Sequence, residues 1–256
     1  MEYVIITGAR KGLGRSLART VIDKDRVLIL IARDQFKLNE IKAELNKKHH
    51  QKILAYPFDL NNYENVDDLM NNIILQFNLK DDFKITLINN AGTIHPIKTV
   101  DLLEETDIKS NLTVNVLSPV LMISKLTRFA NQNSRQLKII NISSGAYNQP
   151  IDSWALYCTS KAAIQMYLEV SLSENNKDSA VKILSIDPGV MDTGMQESIR
   201  NSESKGFSKK NDFVNLYREH KLRSVDSVAK VIKENFIDDW NVNSNFMKLD
   251  TFFESK

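Results

Sequence analysis

A chain of 256 residues, 42% of them hydrophobic, can bury a full core, and a formal charge of +2 implies neither a nucleic-acid-binding nor a membrane-binding surface. The only cysteine, Cys158, excludes an intrachain disulfide and suits a reducing compartment. No apolar run approaches a membrane span, and strand-like Tyr3-Val4-Ile5-Ile6 comes so early that no leader is expected. The expectation is a soluble, cytoplasmic protein.

In chain order, strand-like and helical patterns alternate. Residues 4–7 read as a buried strand and 13–23 as the helix behind it; 27–32 with 36–48, and 53–57 with 66–77, repeat the pair. Residues 85–89 and 137–142 are two more strands, and the long helical stretch between them, 102–131, contains Pro119. A helix over 154–175, a strand over 181–186, a helix over 225–236 and a final strand over 245–250 complete the pattern. Continuous apolar strands that each feed an amphipathic helix signal a parallel sheet covered on both faces. The predicted fold is α/β: a single Rossmann-type doubly wound domain over residues 1–256, with a seven-stranded parallel sheet flanked by helices. No repeat, low-complexity tract or Gly/Ser linker marks a domain boundary. The least patterned stretch, 193–212, follows a strand end and is a candidate mobile lid. Lys47-Lys48-His49-His50 and Lys209-Lys210 are short basic spots expected to be solvated, and no His, Cys or Asp cluster has metal-ligand spacing.

The first strand runs into Thr7-Gly8-Ala9-Arg10-Lys11-Gly12-Leu13-Gly14. The spacing Gly-x-x-x-Gly-x-Gly differs from the commoner Gly-x-Gly-x-x-Gly of dinucleotide sites but occupies the same place after the strand. Glycines there let backbone approach a pyrophosphate, and the helix opening near Gly12 offers free N–H groups and the positive end of its dipole. A ribose 2′-hydroxyl is usually held by an acid about twenty residues on, whereas a 2′-phosphate needs a cation. The second strand ends Ile31-Ala32-Arg33-Asp34, and the turn itself carries Arg10 and Lys11. Cations converging there favour NADP(H), although Asp34 could take a ribose hydroxyl instead.

Tyr157-Cys158-Thr159-Ser160-Lys161 sets a phenol and an ammonium one helical turn apart. A free tyrosine ionises near pH ~10; a cation nearby lowers that value and eases proton donation. Ser144 lies thirteen positions upstream. Cys158 points about 100° away from its neighbour around a helix and reads as an inert packed thiol.

The motifs Thr7-Gly8-x-x-x-Gly12-x-Gly14, Asp59-Leu60, Asn89-Asn90-Ala91-Gly92, Asn115, Ser144, Tyr157-x-x-x-Lys161 and Pro188-Gly189-x-x-x-Thr193 follow one another in a characteristic order. On these, the chain resembles the short-chain dehydrogenase/reductases over essentially its whole length. The stretches around Ser144, Trp154 and Pro188 are similar to the group that includes sepiapterin reductases and bacterial benzil reductases. The resemblance implies carbonyl reduction by NADPH, with hydride from the pro-S face. It implies Tyr157 as proton donor, Ser144 hydrogen-bonding the developing alkoxide, Lys161 keeping Tyr157 acidic and holding the nicotinamide ribose, and Asn115 holding a water that resupplies the proton. For the cofactor it implies Gly8, Arg10, Lys11, Gly12, Leu13 and Gly14 in the first turn, with Arg33 at the 2′-phosphate. Asp59 and Leu60 would meet the adenine, and Asn90, Ala91 and Gly92 would let the cofactor lie close. Tyr157, Lys161, Pro188, Gly189, Val190 and Thr193 would surround the nicotinamide end. Asp59 also reads as a helix N-cap. Asp187 departs from the family, which usually has a small or neutral residue there, and a buried carboxylate needs partners.

Ser144, Tyr147, Trp154, Met191 and Met195 would line an apolar, aromatic-tolerant pocket suited to one carbonyl of an aromatic or vicinal diketone. Alternatives are a 3-oxoacyl, steroid or sugar carbonyl, or a non-catalytic dinucleotide-binding regulator. Trp154 also reads as a packed helix-start residue. Asp250 reads either as an anchor for a pterin-like ring or as a structural strand end. The family implies a homodimer built on the helices of Asn115 and Tyr157. Leu112, Val116, Val120 and Ile123, with Ile164, Leu168 and Leu172, form apolar stripes that could serve it or could face the chain's own sheet.

Overall fold

The computed structural model describes residues 1–48, 52–174, 180–203, 206–242 and 244–253; His49 and His50 lie outside them. One parallel sheet contains β1 (Glu2–Thr7), β2 (Arg26–Ala32), β3 (Ile53–Pro57), β4 (Lys84–Asn89), β5 (Gln136–Ile142), β6 (Val181–Asp187) and β7 (Phe246–Lys248). The helices are α1 (Gly12–Val21), α2 (Gln35–Lys48), α3 (Val66–Ile74), α4 (Glu105–Leu112), α5 (Ser118–Gln132), α6 (Ala155–Glu174), α7 (Gly194–Arg200), α8 (Lys210–Arg218) and α9 (Val225–Ile232). Among the described residues no helix is long and apolar enough to cross a membrane.

Alternation assigns the two faces. Successive side chains of a strand point to opposite sides, so Val4 and Ile6 of β1 pack with α1, α2 and α9, while Tyr3 and Ile5 pack with α3, α5 and α6. A continuous apolar run, such as residues 3–6 of β1 or 27–32 of β2, has to be covered on both sides.

The strand order is β3-β2-β1-β4-β5-β6-β7, so the winding reverses between β1 and β4. A crevice opens beyond the C-terminal ends of strands at such a switch point. The two strand ends are stitched together there: Thr7 Oγ1 accepts from the Asn90 and Ala91 N–H groups at 3.0 and 2.9 Å, and Asn90 Nδ2 donates to the Thr7 carbonyl at 2.9 Å.

Three elements differ from the sequence expectation. The helix expected over 102–131 is broken: α4 passes into a π-helical stretch, Thr113–Leu117, before α5 begins with Pro119 in its first turn. Proline has no N–H to donate and crowds the carbonyl four residues back, and the wider π turn absorbs the break ahead of it. Residues 193–212 are not patternless, since they contain α7 and the start of α8; α7 is only seven residues long and just the first residues of α8 fall inside the stretch, too little of either to show a period. The last strand ends at Lys248, and Asp250 sits in the 3₁₀ turn Leu249–Phe252.

Beyond the sheet edge, a third cluster of Ile94, Ala146, Trp154, Tyr157, Ile199 and Phe207 packs α7 and the chain after it onto the loops following β4 and β5. It roofs the crevice on the β5 side.

Candidate active site

The glycine-rich turn closes the crevice with backbone. Gly8 and Gly12 adopt φ of +69° and +54°, a left-handed conformation that costs glycine little. Gly14 is fixed by contact instead: a Cβ there would lie 2.6 Å from Asn90 Nδ2 and nearer still to the Gly8 carbonyl. The N-cap position of α1, Lys11, makes no side-chain cap, so the first N–H groups of the helix have no side-chain acceptor. A pyrophosphate fits that unmet demand.

Cations gather at the neighbouring strand end. Arg10 pairs loosely with Asp34 at 3.7 Å and Arg33 with Asp59 at 3.7 Å, the Arg33 side chain remaining 59% exposed. Partial desolvation and the nearby charges of Arg10, Arg33 and Lys37 push the Lys11 ammonium below its ordinary value. Lys37, in the first turn of α2, belongs to this group and was not singled out from the sequence, although it stands four residues from Arg33. Asp34 is occupied: Oδ1 accepts from the Lys37 N–H at 3.0 Å. Asp59 caps a turn, accepting from the Asn61 N–H at 3.0 Å, and Leu60 beside it is buried. The positive charge that adds to burial in depressing Lys11 would be relieved by a phosphate dianion.

On the other side of the crevice α6 brings Tyr157 and Lys161, both buried, over the end of β5. Ser144 caps the 3₁₀ turn Gly145–Tyr147, its Oγ accepting from the Ala146 N–H at 3.3 Å, and it hydrogen-bonds Tyr157. The neighbouring Ser143 is buried with an unpartnered hydroxyl. Lys161 Nζ donates to the Ile142 carbonyl at 2.8 Å and stands 5.6 Å from the centre of the Tyr157 ring. Contrary to the expectation of a lowered phenol pKa, burial pushes Tyr157 up to about 12, with the Ser144 hydrogen bond opposing and Asp187 reinforcing. Burial also pushes Lys161 down to about 8, against the Asp187 charge. Sequence spacing supplies the neighbouring cation but not the desolvation that outweighs it.

Asn115, carried by the π-helical stretch, acts as a bracket. Its Oδ1 accepts from the Thr93 N–H and its Nδ2 donates to the Thr93 carbonyl, both at 2.8 Å, and Nδ2 also meets Ser160 Oγ at 3.1 Å. Nδ2 is taken up by these bonds, while Oδ1 accepts one and keeps a second lone pair. Exposed Gly92 lies between the two groups: a Cβ there would stand 3.4 Å from Asn115 Oδ1 and 4.0 Å from Lys161 Nζ.

The expected pocket residues separate. Trp154 is only 4% exposed, stacks on Phe207 at 5.5 Å and meets Tyr157 edge-on at 5.6 Å, so it backs the pocket rather than lining an open one. Met195 packs on the same cluster, whereas Met191 packs against the separate core cluster that includes α1, α2 and α9. Tyr147 packs on Phe246 of β7, with ring centres 4.3 Å apart. Ile94, Ile199 and Phe207 join the site from segments that carried no sequence signal. Thr193 caps α7 by accepting from the Gln196 N–H at 3.4 Å, and Pro188, Gly189 and Val190 form the turn leading to it. Asp187 does have a partner, accepting from the Gly189 N–H at 3.1 Å; burial still raises its carboxyl, and Asp250 adds to the rise.

Residues 2–204 match the short chain dehydrogenase family. The chain is 33% identical over 234 residues to a benzil reductase ((S)-benzoin forming) of Bacillus cereus, covering 91% of this chain and 93% of that one. It is 31% identical over 205 residues to the sepiapterin reductase of Bos taurus, covering 77% and 76%. A solved short-chain dehydrogenase from Sphingobium yanoikuyae in complex with NADPH superposes with a TM-score of 0.75 at 20% identity, over 97% of this chain and 87% of that one. At that identity the likeness is one of fold.

Proposed function

The chain belongs to the short chain dehydrogenase family, oxidoreductases of carbonyl and alcohol groups, and from that premise we propose that it is an NADPH-dependent reductase of one carbonyl in an aromatic or vicinal diketone. The observation that carries the reading is the hydrogen-bonded Ser144–Tyr157 pair with Lys161 beside it, at the mouth of a crevice closed by glycine.

Bound NADPH would supply hydride to the carbonyl carbon from its pro-S face. Tyr157, held neutral by burial, keeps its proton until the carbonyl oxygen takes on charge, then donates it. Ser144 turns its hydroxyl to the same oxygen, so two donors meet charge where it develops. Lys161 would hold the nicotinamide ribose, and Asn115 is a positioning residue that locks the Thr93 loop to α6 through Ser160. Arg33, Arg10, Lys11 and Lys37 would hold a 2′-phosphate and Gly8 to Gly14 the pyrophosphate; Asp59 and Leu60 would meet the adenine, Asn90 to Gly92 would let the cofactor lie close, and Pro188 to Thr193 would receive the nicotinamide end.

The substrate class is supported by the named benzil reductase relative and by an apolar wall of Ile94, Trp154, Met195, Ile199 and Phe207 beside the Ser144–Tyr157 pair. Ser144, Tyr147, Trp154 and Met195 are the proposed substrate-side residues, Trp154 acting through the rings it supports. The whole chain is proposed as one domain, cytoplasmic and homodimeric. NADPH consumption with a ketone panel tests the reading: turnover of benzil and other vicinal diketones above 3-oxoacyl thioesters, steroids and sugars is expected. Cofactor binding with no ketone turned over would instead make the protein a regulator.

A further inference from the structure

Arg223, just ahead of α9, lies far from the motifs in sequence yet holds the Pro188–Thr193 turn at both ends. Its Nη1 donates to the Pro188 carbonyl at 3.0 Å and its backbone N–H donates to the Val190 carbonyl at 3.0 Å. Its own carbonyl accepts from the Asp192 N–H at 3.1 Å, one residue before Thr193 caps α7. The guanidinium, 19% exposed, pairs with Asp250 and lies 4.7 Å over the Phe253 ring. Gly189 makes room for it: φ there is +72°, and a Cβ would stand 2.8 Å from Arg223 Cζ, nearer still to Nη1. From the other side, Asp187 accepts from the Gly189 N–H.

We propose that Arg223 is a positioning residue for the cofactor: it fixes the shape of the Pro188–Thr193 turn that receives the nicotinamide end, and through Asp250 and Phe253 it recruits the C-terminal turn to that task. The inference rests on the NADPH reading above. Two backbone contacts would place the chain at Arg223 whatever its side chain, so the added work lies in the guanidinium. A planar fork can reach the Pro188 carbonyl and the Asp250 carboxylate at once while lying flat on Phe253; a lysine ammonium offers a point charge without that geometry. Asp250 Oδ1 is thereby engaged by Arg223, although the carboxylate remains 46% exposed.

Equilibrium titration with NADPH, followed by its fluorescence, tests this on the wild-type protein, Arg223→Met, Arg223→Lys and Asp250→Asn, with thermal midpoints measured without cofactor. Loss of the side-chain contacts in Arg223→Met should weaken NADPH binding roughly ten-fold, with a partial return in Arg223→Lys. Asp250→Asn should weaken it in the same direction by less, and the diketone KM at saturating NADPH should hold. Variants that lose thermal stability but bind NADPH as the wild type does would reduce Arg223 to a structural strut and overturn the proposal. Should Arg223→Met not fold, Asp250→Asn decides: weaker binding supports the proposal and unchanged binding overturns it. A wild-type protein that binds no NADPH would sink the functional reading itself, a result distinct from either.

Discussion

Lys161 carries its ammonium 5.6 Å from the centre of the Tyr157 ring, yet both groups are governed by burial rather than by each other. The phenol stays protonated to about 12, which is the state a proton donor needs, while the ammonium loses its proton near 8. Reductive kcat/KM should therefore be level below about pH 8 and fall as pH rises through that value, because the cation is present below it and lost above. The same depression makes folding stability rise between about 8 and the ordinary lysine value of 10.5, where the unfolded chain still holds the proton that the folded one has released. A pH–rate profile checks the first sign; a level profile far above pH 8 would show that Lys161 charge is not needed.

Tyr157→Phe should lower kcat by roughly 10²–10⁴-fold, the range of a lost general acid, and leave NADPH affinity nearly unchanged. The phenyl ring still meets Trp154 edge-on and fills the same space. A variant that kept most of its kcat with the best diketone would mean that another group is the acid.

Arg33→Ala should weaken NADPH far more than NADH, by about ten- to a hundredfold, given ~1.5–3 kcal/mol for a charge-assisted hydrogen bond. Lys37→Ala should move discrimination the same way by less. Equal losses for the two cofactors would make these cations structural.

The sequence made the strands plain because β1 and β2 carry continuous apolar runs, residues 3–6 and 27–32, and it exposed the glycine turn, Ser144, Tyr157 and Lys161 because their chemistry is tied to short spacings. Residues that reach the site by tertiary packing gave no such signal. Arg223 arrives from ahead of α9, Ile199 comes from the two-turn helix α7, and Phe207 comes from the loop between α7 and α8. The apolar stripes were ambiguous for a physical reason. Ile123, Ile164 and Leu168 are buried against the sheet, with Val120 and Leu172 partly so, while Leu112 and Val116 are half-buried.

The outward apolar face lies elsewhere on the same helices, at Leu117, Leu121, Met166 and Val170, which are 38%, 38%, 60% and 46% exposed. Light scattering at micromolar concentration should give about twice the 29.3 kDa of one chain. The double substitution Leu121→Glu with Met166→Glu should shift it to the single-chain mass. A wild-type mass of one chain would remove the dimer from the account.

The central claim is that this site moves hydride from NADPH to a ketone carbon while Tyr157 supplies the proton. NADPH deuterated on the pro-S face of its nicotinamide, incubated with benzil, tests it directly by mass spectrometry of the product. The account requires one deuterium on the new alcohol carbon in the wild-type product, and loss of product in Tyr157→Phe. An unlabelled alcohol, or label transferred only from the pro-R face, would contradict it.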